Sequence, residues 1–301
     1  MKLDTHVHSF HSGHTSLRPL HRLMRESYNA PEPIYRRAKA RGMDLVTITD
    51  HDQIDGALTL ADRPDVIVGC EVTGVFPRDG VRVHLGVLGL SEAQHREAQR
   101  RRHDISDLLP YLREQRIFVS LNHVASRVNG RVTARHITAL VPWIDGFEVR
   151  NGSRLHAQNR TAAGLARAHA KVHVGGSDSH SMRGVGRTWV DAPHAHTREE
   201  FLVELHAGRV QAGGRHGNYL TMASDILRIA SNFYAEEFGR FAASPLAARR
   251  QATVLCLALG LPLIAIPLGL AMAHFILERR FNRALLSDLA QRPRLGVPEL
   301  A

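Results

Sequence analysis

Histidine and carboxylate side chains recur in short motifs through the first 180 residues of the sequence. His6 and His8 are separated by one residue, and on a β-strand such a pair points to the same side. The other motifs contribute Asp50 and His51, then Glu71, His84 and His123, and finally Asp178 and His180. Converging imidazole nitrogens and carboxylate oxygens bind divalent cations, which lower the pKa of water and polarise its reaction partner. The sequence therefore predicts a multinuclear site for zinc, manganese or iron.

These motifs follow short apolar runs that are typical of buried strands. The strand candidates are residues 3–7, 45–49, 66–70, 81–88, 117–121, 147–149 and 172–175. Helical patterns lie between them at 31–41, 91–114, 133–140 and 155–170, and turn residues at 76–80 predict an antiparallel pair. Five of the six motifs come at the C-terminal end of a strand, whereas His84 lies within one. We therefore expect an α/β fold, a barrel that gathers the strand ends on one face.

The composition excludes several classes of protein. Of the 301 residues, 44% are hydrophobic and 23% are charged, which excludes a wholly disordered chain. Two cysteines exclude a disulfide scaffold and a cysteine-rich zinc ribbon. The net charge of +10 would suit nucleic acid or anionic lipid, but all but three of the 39 basic residues are arginine. That skew favours a compositional bias over a polyanion partner.

The order of the motifs resembles the PHP (polymerase and histidinol phosphatase) family. His-x-His opens the chain, Thr-Asp-His follows, then a strand-terminal Glu, a later His, an Asn-His pair and a closing Ser-Asp-Ser-His. The resemblance covers residues 1–190, with an upper limit at 220. It implies a distorted (β/α)7 barrel, two to three divalent metal ions and hydrolysis of phosphoesters.

Carried over by motif, the resemblance implies three sets of metal ligands. The first set is His6, His8, Glu71 and Asp178. The second set is Glu71 as a bridge, His84 and His123. The third set is His14, His51 and His180, with His11 as an alternative to His14. Asp4 and Asp50 are expected to orient the histidine ligands.

The resemblance also implies a mechanism, in which a hydroxide bridging two metals attacks phosphorus in line. The residues expected to act in catalysis are Asp178, His180, Glu71, Arg150 and Arg187. Arg150, Arg183 and Arg187 follow strands and would clamp phosphate oxygens, with Arg127 and Arg154 as weaker candidates. Asn151 would contact the substrate or cap the next helix. The expected substrate is a small phosphomonoester or nucleotide.

Three other functions remain open from the sequence. An amidohydrolase-type barrel also opens with His-x-His and cleaves C–N bonds, but it would need a strand-end lysine as a carbamate bridge. A nuclease acting on oligonucleotide ends would share the metal chemistry, although aromatic residues make up only 6% of the chain. An inactive scaffold at a membrane would have lost ligands, whereas here every motif position carries a competent side chain.

The C-terminal part changes abruptly in composition. A catalytic domain over 1–220 and a helical linker over 221–251 are followed by 252–277, which contains no Asp, Glu, Lys or Arg and has His274 as its one basic side chain. As a helix these 26 residues would extend about 39 Å, enough to cross a bilayer. Pro262 and Pro267 would instead allow a re-entrant hairpin, and 278–301 would form a basic exposed tail. Since no secretory signal opens the chain, we expect a membrane-associated protein with a cytoplasmic catalytic domain. No protein partner is inferable.

Overall fold

The computed structural model describes residues 1–15, 24–243, 251 and 265–291. The strands are β1 (Lys2–Leu3), β2 (Gly69–Val75), β3 (Arg82–Leu88), β4 (Phe118–Leu121), β5 (Gly146–Asn151), β6 (Val172–Gly176), β7 (Thr188–Asp191) and β8 (Gln211–Gly214). The helices are α1 (Pro31–Ala40), α2 (Asp55–Leu58), α3 (Glu92–Arg101), α4 (Ile105–Glu114), α5 (Ala134–Leu140), α6 (His156–Ala168), α7 (Arg198–His206), α8 (Tyr219–Ala243) and α9 (Ala265–Gln291). The predicted α/β class is confirmed.

The strands form two sheets. The larger has the order β2-β3-β4-β5-β6, and the smaller has the order β1-β7-β8. Strands β4, β5 and β6 are parallel, so their C-terminal ends meet at one edge. The predicted antiparallel pair is confirmed as β2 and β3, and Phe76 closes its turn by donating its backbone N–H to Val81 O at 2.8 Å. His123 and Asp178 follow the parallel strands β4 and β6 on this side of the sheet, whereas Glu71, expected after its strand, and His84 lie within β2 and β3.

The prediction of a closed barrel is wrong, because the two sheets remain separate. The predicted strand at 45–49 and the first part of the predicted strand at 66–70 contribute isolated bridges, such as Leu3 with Leu45 and Val46 with Val66, whereas residues 69 and 70 begin β2. Side-chain oxygens accept hydrogen bonds from backbone N–H groups that regular strand pairing would use. Thr49 Oγ1 accepts from the Val7 N–H at 3.0 Å. Side-chain acceptors of this kind compete with regular strand pairing, and here the pairing is limited to isolated bridges.

The predicted helix over 91–114 is divided in two. Asp104 lies between α3 and α4 in an extended conformation, and its Oδ1 accepts from the Ser106 N–H at 2.9 Å as an N-cap. Ile105, Leu108 and Leu112 of α4 are then fully buried in the core beside β2 to β4. The new N-terminus lets α4 cover the sheet while α3 runs along the surface.

Helix α9 packs against α5 and α6. Leu285 is 2% exposed and belongs to the main hydrophobic core, whereas Leu268 and Leu270 are exposed. Within the described part of the chain, no helix is both long and apolar enough to cross a membrane. Of the predicted membrane segment, 252–264 lies outside the described residues. Residues 265–277 begin a helix whose second half carries charged residues and docks on the α/β core, so the described half does not support a membrane span or a membrane partner.

Candidate metal centre

Glu71 of β2 lies at the centre of a cluster of imidazoles and is fully buried. Its Oε1 is 3.0 Å from His123 Nε2 and 3.6 Å from His84 Nδ1. Its Oε2 is 3.1 Å from His51 Nδ1. His84 lies on β3 and His123 directly after β4, so three neighbouring strands bring these groups together. One carboxylate thus faces several nitrogen donors on both of its oxygens.

His6 and His8 approach Glu71 Oε2, the oxygen that also faces His51. Their Nε2 atoms are 3.0 Å apart and lie 3.2 and 3.5 Å from Glu71 Oε2. Asp178 Oδ1 is 3.7 Å from His6 Nε2 and 3.6 Å from His8 Nε2. The four residues of the first expected ligand set therefore converge, and each is at most 2% exposed.

The third expected set is only partly assembled. The rings of His8 and His180 stack at 4.2 Å, and His8, His51 and His180 offer nitrogen atoms within 4.8 Å of one another. His14 is exposed and its backbone pairs with Arg25, away from this group.

Two further residues lie beside this third set. His11 stacks on Phe10 instead of joining the set. Glu26, which the sequence analysis missed, has its Oε2 3.6 Å from His51 Nε2. No signal in the sequence pointed to Glu26, because this residue follows no predicted strand.

The buried polar atoms of the cluster fit divalent cations. Among the described residues, Glu71 Oε2, His84 Nδ1, His123 Nδ1 and His180 Nε2 are buried without any hydrogen-bond partner. A buried polar atom left in this state costs about 1–3 kcal/mol. Cations coordinated by these lone pairs would remove that cost, and nitrogen and oxygen donors suit zinc, manganese or iron.

The charges of the cluster favour cation binding. Burial raises the pKa of Glu71, but the surrounding imidazoles, His6 first, outweigh it and hold that pKa well below its usual value. Burial likewise opposes ionisation of Asp178, yet Arg154 and His6 hold its pKa well below the ordinary range. Burial lowers the pKa of His84 to about 3. At neutral pH the carboxylates are thus ionised and the His84 ring is neutral, the forms that ligate metals.

Glu148 of β5 supports two of the histidines and was not predicted as a site residue. Its Oε1 is 2.9 Å from His6 Nδ1, and its Oε2 accepts from the His123 backbone N–H at 3.0 Å. Asn151 Nδ2 donates to Glu148 Oε2 at 2.8 Å and to Asp178 Oδ2 at 3.1 Å. The available signal was a carboxylate inside an otherwise apolar strand, which is costly unless paired.

The arginine that contacts an expected metal ligand is one of the weaker candidates from the sequence, Arg154. Arg154 donates from Nε and Nη2 to Asp178 Oδ2 at 3.1 and 2.9 Å. Arg150 instead donates from Nη1 to Gly214 O at 2.8 Å, toward β8. Arg187 lies in a basic group, where burial and then the charges of Arg215 and Arg183 lower its pKa. Arg127 presents its backbone N–H to Glu278 of α9. Of the nominated arginines, Arg154 is the one bonded to an expected ligand.

Asp50 orients a histidine through a serine. Its Oδ1 accepts from the Ser9 N–H at 2.6 Å and from Ser12 Oγ at 2.7 Å. Ser12 Oγ lies 2.9 Å from His8 Nδ1. This leaves His8 Nε2 to face Glu71 and Asp178. Asp50 therefore fixes the direction of the His8 ring.

Asp4, which was expected to orient a histidine ring, accepts hydrogen bonds from backbone N–H groups instead. It accepts from the Ser177 N–H at 2.8 Å and from the Gly186 N–H at 2.7 Å, and burial raises its pKa to about 6.

Asp4→Ala is expected to lower the free energy of unfolding by about 1–3 kcal/mol for each buried donor left unpaired. Urea denaturation measures this effect. Asp44→Ala, which removes an exposed acceptor of the Lys2 N–H, should change stability little, and equal losses in both variants would contradict the assignment.

Two expected ligands adopt a left-handed backbone conformation. His123 has φ 28° and Asp178 has φ 50°, values that non-glycine residues rarely adopt. Such conformations cost about 1–3 kcal/mol each and cluster at functional sites. Hydrogen bonds from the His123 N–H to Glu148 and from the Asp178 N–H to His6 O hold both residues in place. The fold thus maintains local strain where the two side chains enter the cluster.

Comparison with known proteins relates this fold to PHP proteins. The sequence model of the PHP-associated family matches residues 156–210, which include Asp178 and His180. No curated protein matches the sequence. A two-domain protein from Bacteroides vulgatus, containing a predicted PHP-like metal-dependent phosphoesterase, superposes with a TM-score of 0.54 at 18% identity. That alignment covers 71% of this chain and 65% of the other, so this chain spans less than two thirds of it.

A second solved structure is similar over most of its length. PsfC from Pseudomonas syringae superposes with a TM-score of 0.52 at 18% identity, covering 79% of this chain and 98% of PsfC. At these identities the likeness concerns the fold. The chain therefore has an α/β fold similar to that of a PHP-like structure, and its residues 156–210 match the PHP-associated family model.

Proposed function

We propose that this protein is a metal-dependent phosphoesterase that hydrolyses small phosphomonoesters. The observation that carries the proposal is the environment of Glu71, a fully buried carboxylate. Five imidazoles lie 3.0 to 3.6 Å from its oxygens, and its Oε2 has no hydrogen bond. Such a set of donors on one carboxylate is typical of a bridging ligand between cations. The similarity of the fold to a PHP-like phosphoesterase supports the same reaction class.

The residues that would hold the cations are the members of the described cluster: His6, His8, His51, Glu71, His84, His123, Asp178 and His180. Bound divalent cations would activate water and neutralise charge on the phosphoryl oxygens. The chain's own residues fix the geometry: Glu148 holds His6, Asp50 acts through Ser12 on His8, and Arg154 holds Asp178.

The exposure of the cluster indicates the side from which substrate enters. The side chains of His51, His84 and His180 are 19%, 13% and 18% exposed, whereas the other members of the described cluster are nearly inaccessible. Arg183 follows His180 and belongs to a basic group with Arg187. In the proposed enzyme these guanidiniums bind phosphate oxygens at the open side, where bidentate contacts favour arginine over lysine.

The lysines disfavour the amidohydrolase alternative. All three fall within the described residues, and none enters the cluster. Lys171 Nζ donates to Ile144 O at 2.7 Å before β6 begins, Lys39 pairs with Asp65, and Lys2 lies over Trp189. A carbamate bridge between metals would need one of them beside Glu71.

The test uses the full chain, stripped with a chelator and reloaded with zinc, manganese or iron. We expect about two to three metal ions per chain, as in multinuclear hydrolytic sites, and hydrolysis of p-nitrophenyl phosphate that is lost on stripping and restored on reloading. A 5′-phosphorylated oligonucleotide and p-nitroacetanilide are assayed in parallel for nuclease and amidase activity. Folded protein that binds no stoichiometric metal, or that hydrolyses p-nitrophenyl phosphate equally well after the metal is stripped, would overturn the proposal.

A further inference from the structure

A buried asparagine lies between the two strands that carry the histidines of the second ligand set. Asn129 is fully buried and ends the short turn Arg127–Asn129, which follows β4. Its Oδ1 accepts from the His84 backbone N–H at 2.9 Å. Its Nδ2 donates to Asn122 O at 2.8 Å and to His123 O at 3.3 Å. One amide group therefore connects the backbones of both histidines.

These bonds replace strand pairing at the point where the pairing of β3 with β4 ends. The register of the two strands stops short of both histidines, although the Asn122 N–H still donates to His84 O at 3.0 Å. His123 has φ 28°, which turns the chain away from the direction of β4. Since buried backbone N–H and C=O groups need partners, the Asn129 side chain supplies those that the sheet no longer offers.

The turn that carries Asn129 is held on its other side by α9. Glu278 of α9 is 1% exposed, and both of its oxygens accept from the Arg127 N–H at 3.3 Å. Gln158 Nε2 of α6 donates to Glu278 Oε2 at 2.5 Å and to Ala125 O at 2.9 Å. The backbone that leads to Asn129 is therefore fixed independently of the metal centre, so the amide can act as a rigid support.

We propose that Asn129 is a positioning residue for the second ligand set, which fixes the spacing of His84 and His123 so that both rings reach one cation together with Glu71. The inference rests on the proposed metal site and adds a determinant of one cation position. Glu71 Oε1 faces both rings, at 3.6 Å from His84 Nδ1 and 3.0 Å from His123 Nε2. A shift of either backbone would move a ligand nitrogen away from this shared oxygen.

The first ligand set does not depend on these bonds. Within the described part of the chain, Asn129 makes no hydrogen bond to His6, His8 or Asp178, which are held by other contacts. Loss of the Asn129 amide should therefore weaken one cation position and leave the other intact. A general loss of stability would not make this distinction.

The experiment compares Asn129→Ala and Asn129→Leu with Asn282→Ala in the full chain. Leucine keeps most of the side-chain volume but has no polar atom, so it removes the hydrogen bonds without opening a large cavity. Asn282 is a matched control, because this buried asparagine joins α9 to α6 by accepting from Thr161 Oγ1 at 2.8 Å. All three variants are expected to unfold at lower urea concentration.

Zinc affinity separates the variants. Competition with a chromogenic chelator measures the dissociation constant of each bound zinc ion, without reference to activity. Both substitutions of Asn129 should weaken one zinc position by about tenfold, the lower end of the effect of residues that support metal ligands. Asn282→Ala should bind zinc as the wild type does. Unchanged zinc affinity in Asn129→Leu, or an equal loss in Asn282→Ala, overturns the inference.

A double-mutant cycle with His84→Ala identifies the affected position. His84→Ala removes a ligand of the second set, so the remaining zinc is bound by the first set. Adding Asn129→Leu should then leave the remaining affinity unchanged, and a further tenfold loss would contradict the inference. Wild-type protein that binds zinc but hydrolyses no phosphoester refutes the proposed function and leaves the inference standing, whereas folded wild-type protein that binds no zinc overturns both.

Discussion

Glu71→Gln is expected to lose metal binding and hydrolysis together while retaining the fold. Glutamine has nearly the same shape, but its neutral amide supplies one oxygen in place of two charged ones. Since His51 faces Oε2 and His123 faces Oε1, both sides of the bridge depend on the carboxylate. We expect hydrolysis of p-nitrophenyl phosphate to fall by at least about a hundredfold, the upper end of the loss seen for residues that only support ligands.

Metal content and circular dichroism are measured on the same Glu71→Gln sample. Asp145→Asn is the control, because Asp145 Oδ2 accepts from the Val119 N–H at 2.8 Å at the opposite end of β4. This variant should lose some stability and keep its metals. A Glu71→Gln protein with a full metal complement would show that Glu71 is not a bridging ligand.

Gly176→Ala is expected to damage the centre by steric displacement, without changing any ligand. A Cβ on Gly176 would overlap the Cβ of His6 and would lie 2.9 Å from the His6 backbone N and 3.1 Å from Glu148 Oε1. The backbone of His6 is held by hydrogen bonds that its O accepts from the Asp178 N–H and Ser177 Oγ, and Glu148 is held by its own hydrogen bonds, so neither can yield cheaply. We expect a loss of about 1–3 kcal/mol in the free energy of unfolding, typical of overpacking, and weaker metal binding.

Gly164→Ala is the matched control, and it is expected to raise the free energy of unfolding. Gly164 lies inside α6, and a Cβ there would meet no atom within 4 Å. Alanine in a helix interior is more stable than glycine by about 0.5–1 kcal/mol. Urea denaturation and zinc titration of both variants should therefore show opposite changes in stability and a loss of affinity in Gly176→Ala alone. If Gly176→Ala binds zinc as tightly as the wild type, the space beside His6 does not constrain the site.

The strand-end positions of the chemistry could be predicted because they depend on local patterns. Alternation places His6 and His8 on one side of an extended segment, and the apolar run before Glu71 identifies its strand. His123 follows β4 and Asp178 follows β6, and these parallel strands end on the same side of the sheet, which is a general rule and needs no knowledge of particular contacts. Glu71 was expected after its strand but lies inside β2, because that strand continues to Val75.

The rest of the site depends on contacts between segments that are distant in sequence. Glu26 reaches His51 from a loop, and Glu278 accepts from the Arg127 N–H and from Gln158 although it lies on a helix more than a hundred residues later in the chain. No spacing rule connects such pairs. The absence of a closed barrel is similar in kind, because strand pairing at 45–49 competes with side-chain contacts between distant segments, such as that of Thr49 Oγ1 with the Val7 N–H.

The position of Glu278 in the chain also sets the order in which contacts form during synthesis. A ribosome adds every expected ligand, from His6 to His180, before it adds α9. Until then the Arg127 N–H lacks this acceptor, and the Gln158 amide keeps only Ala125 O. The loop after β4, which carries His123, therefore gains its contacts with α9 last.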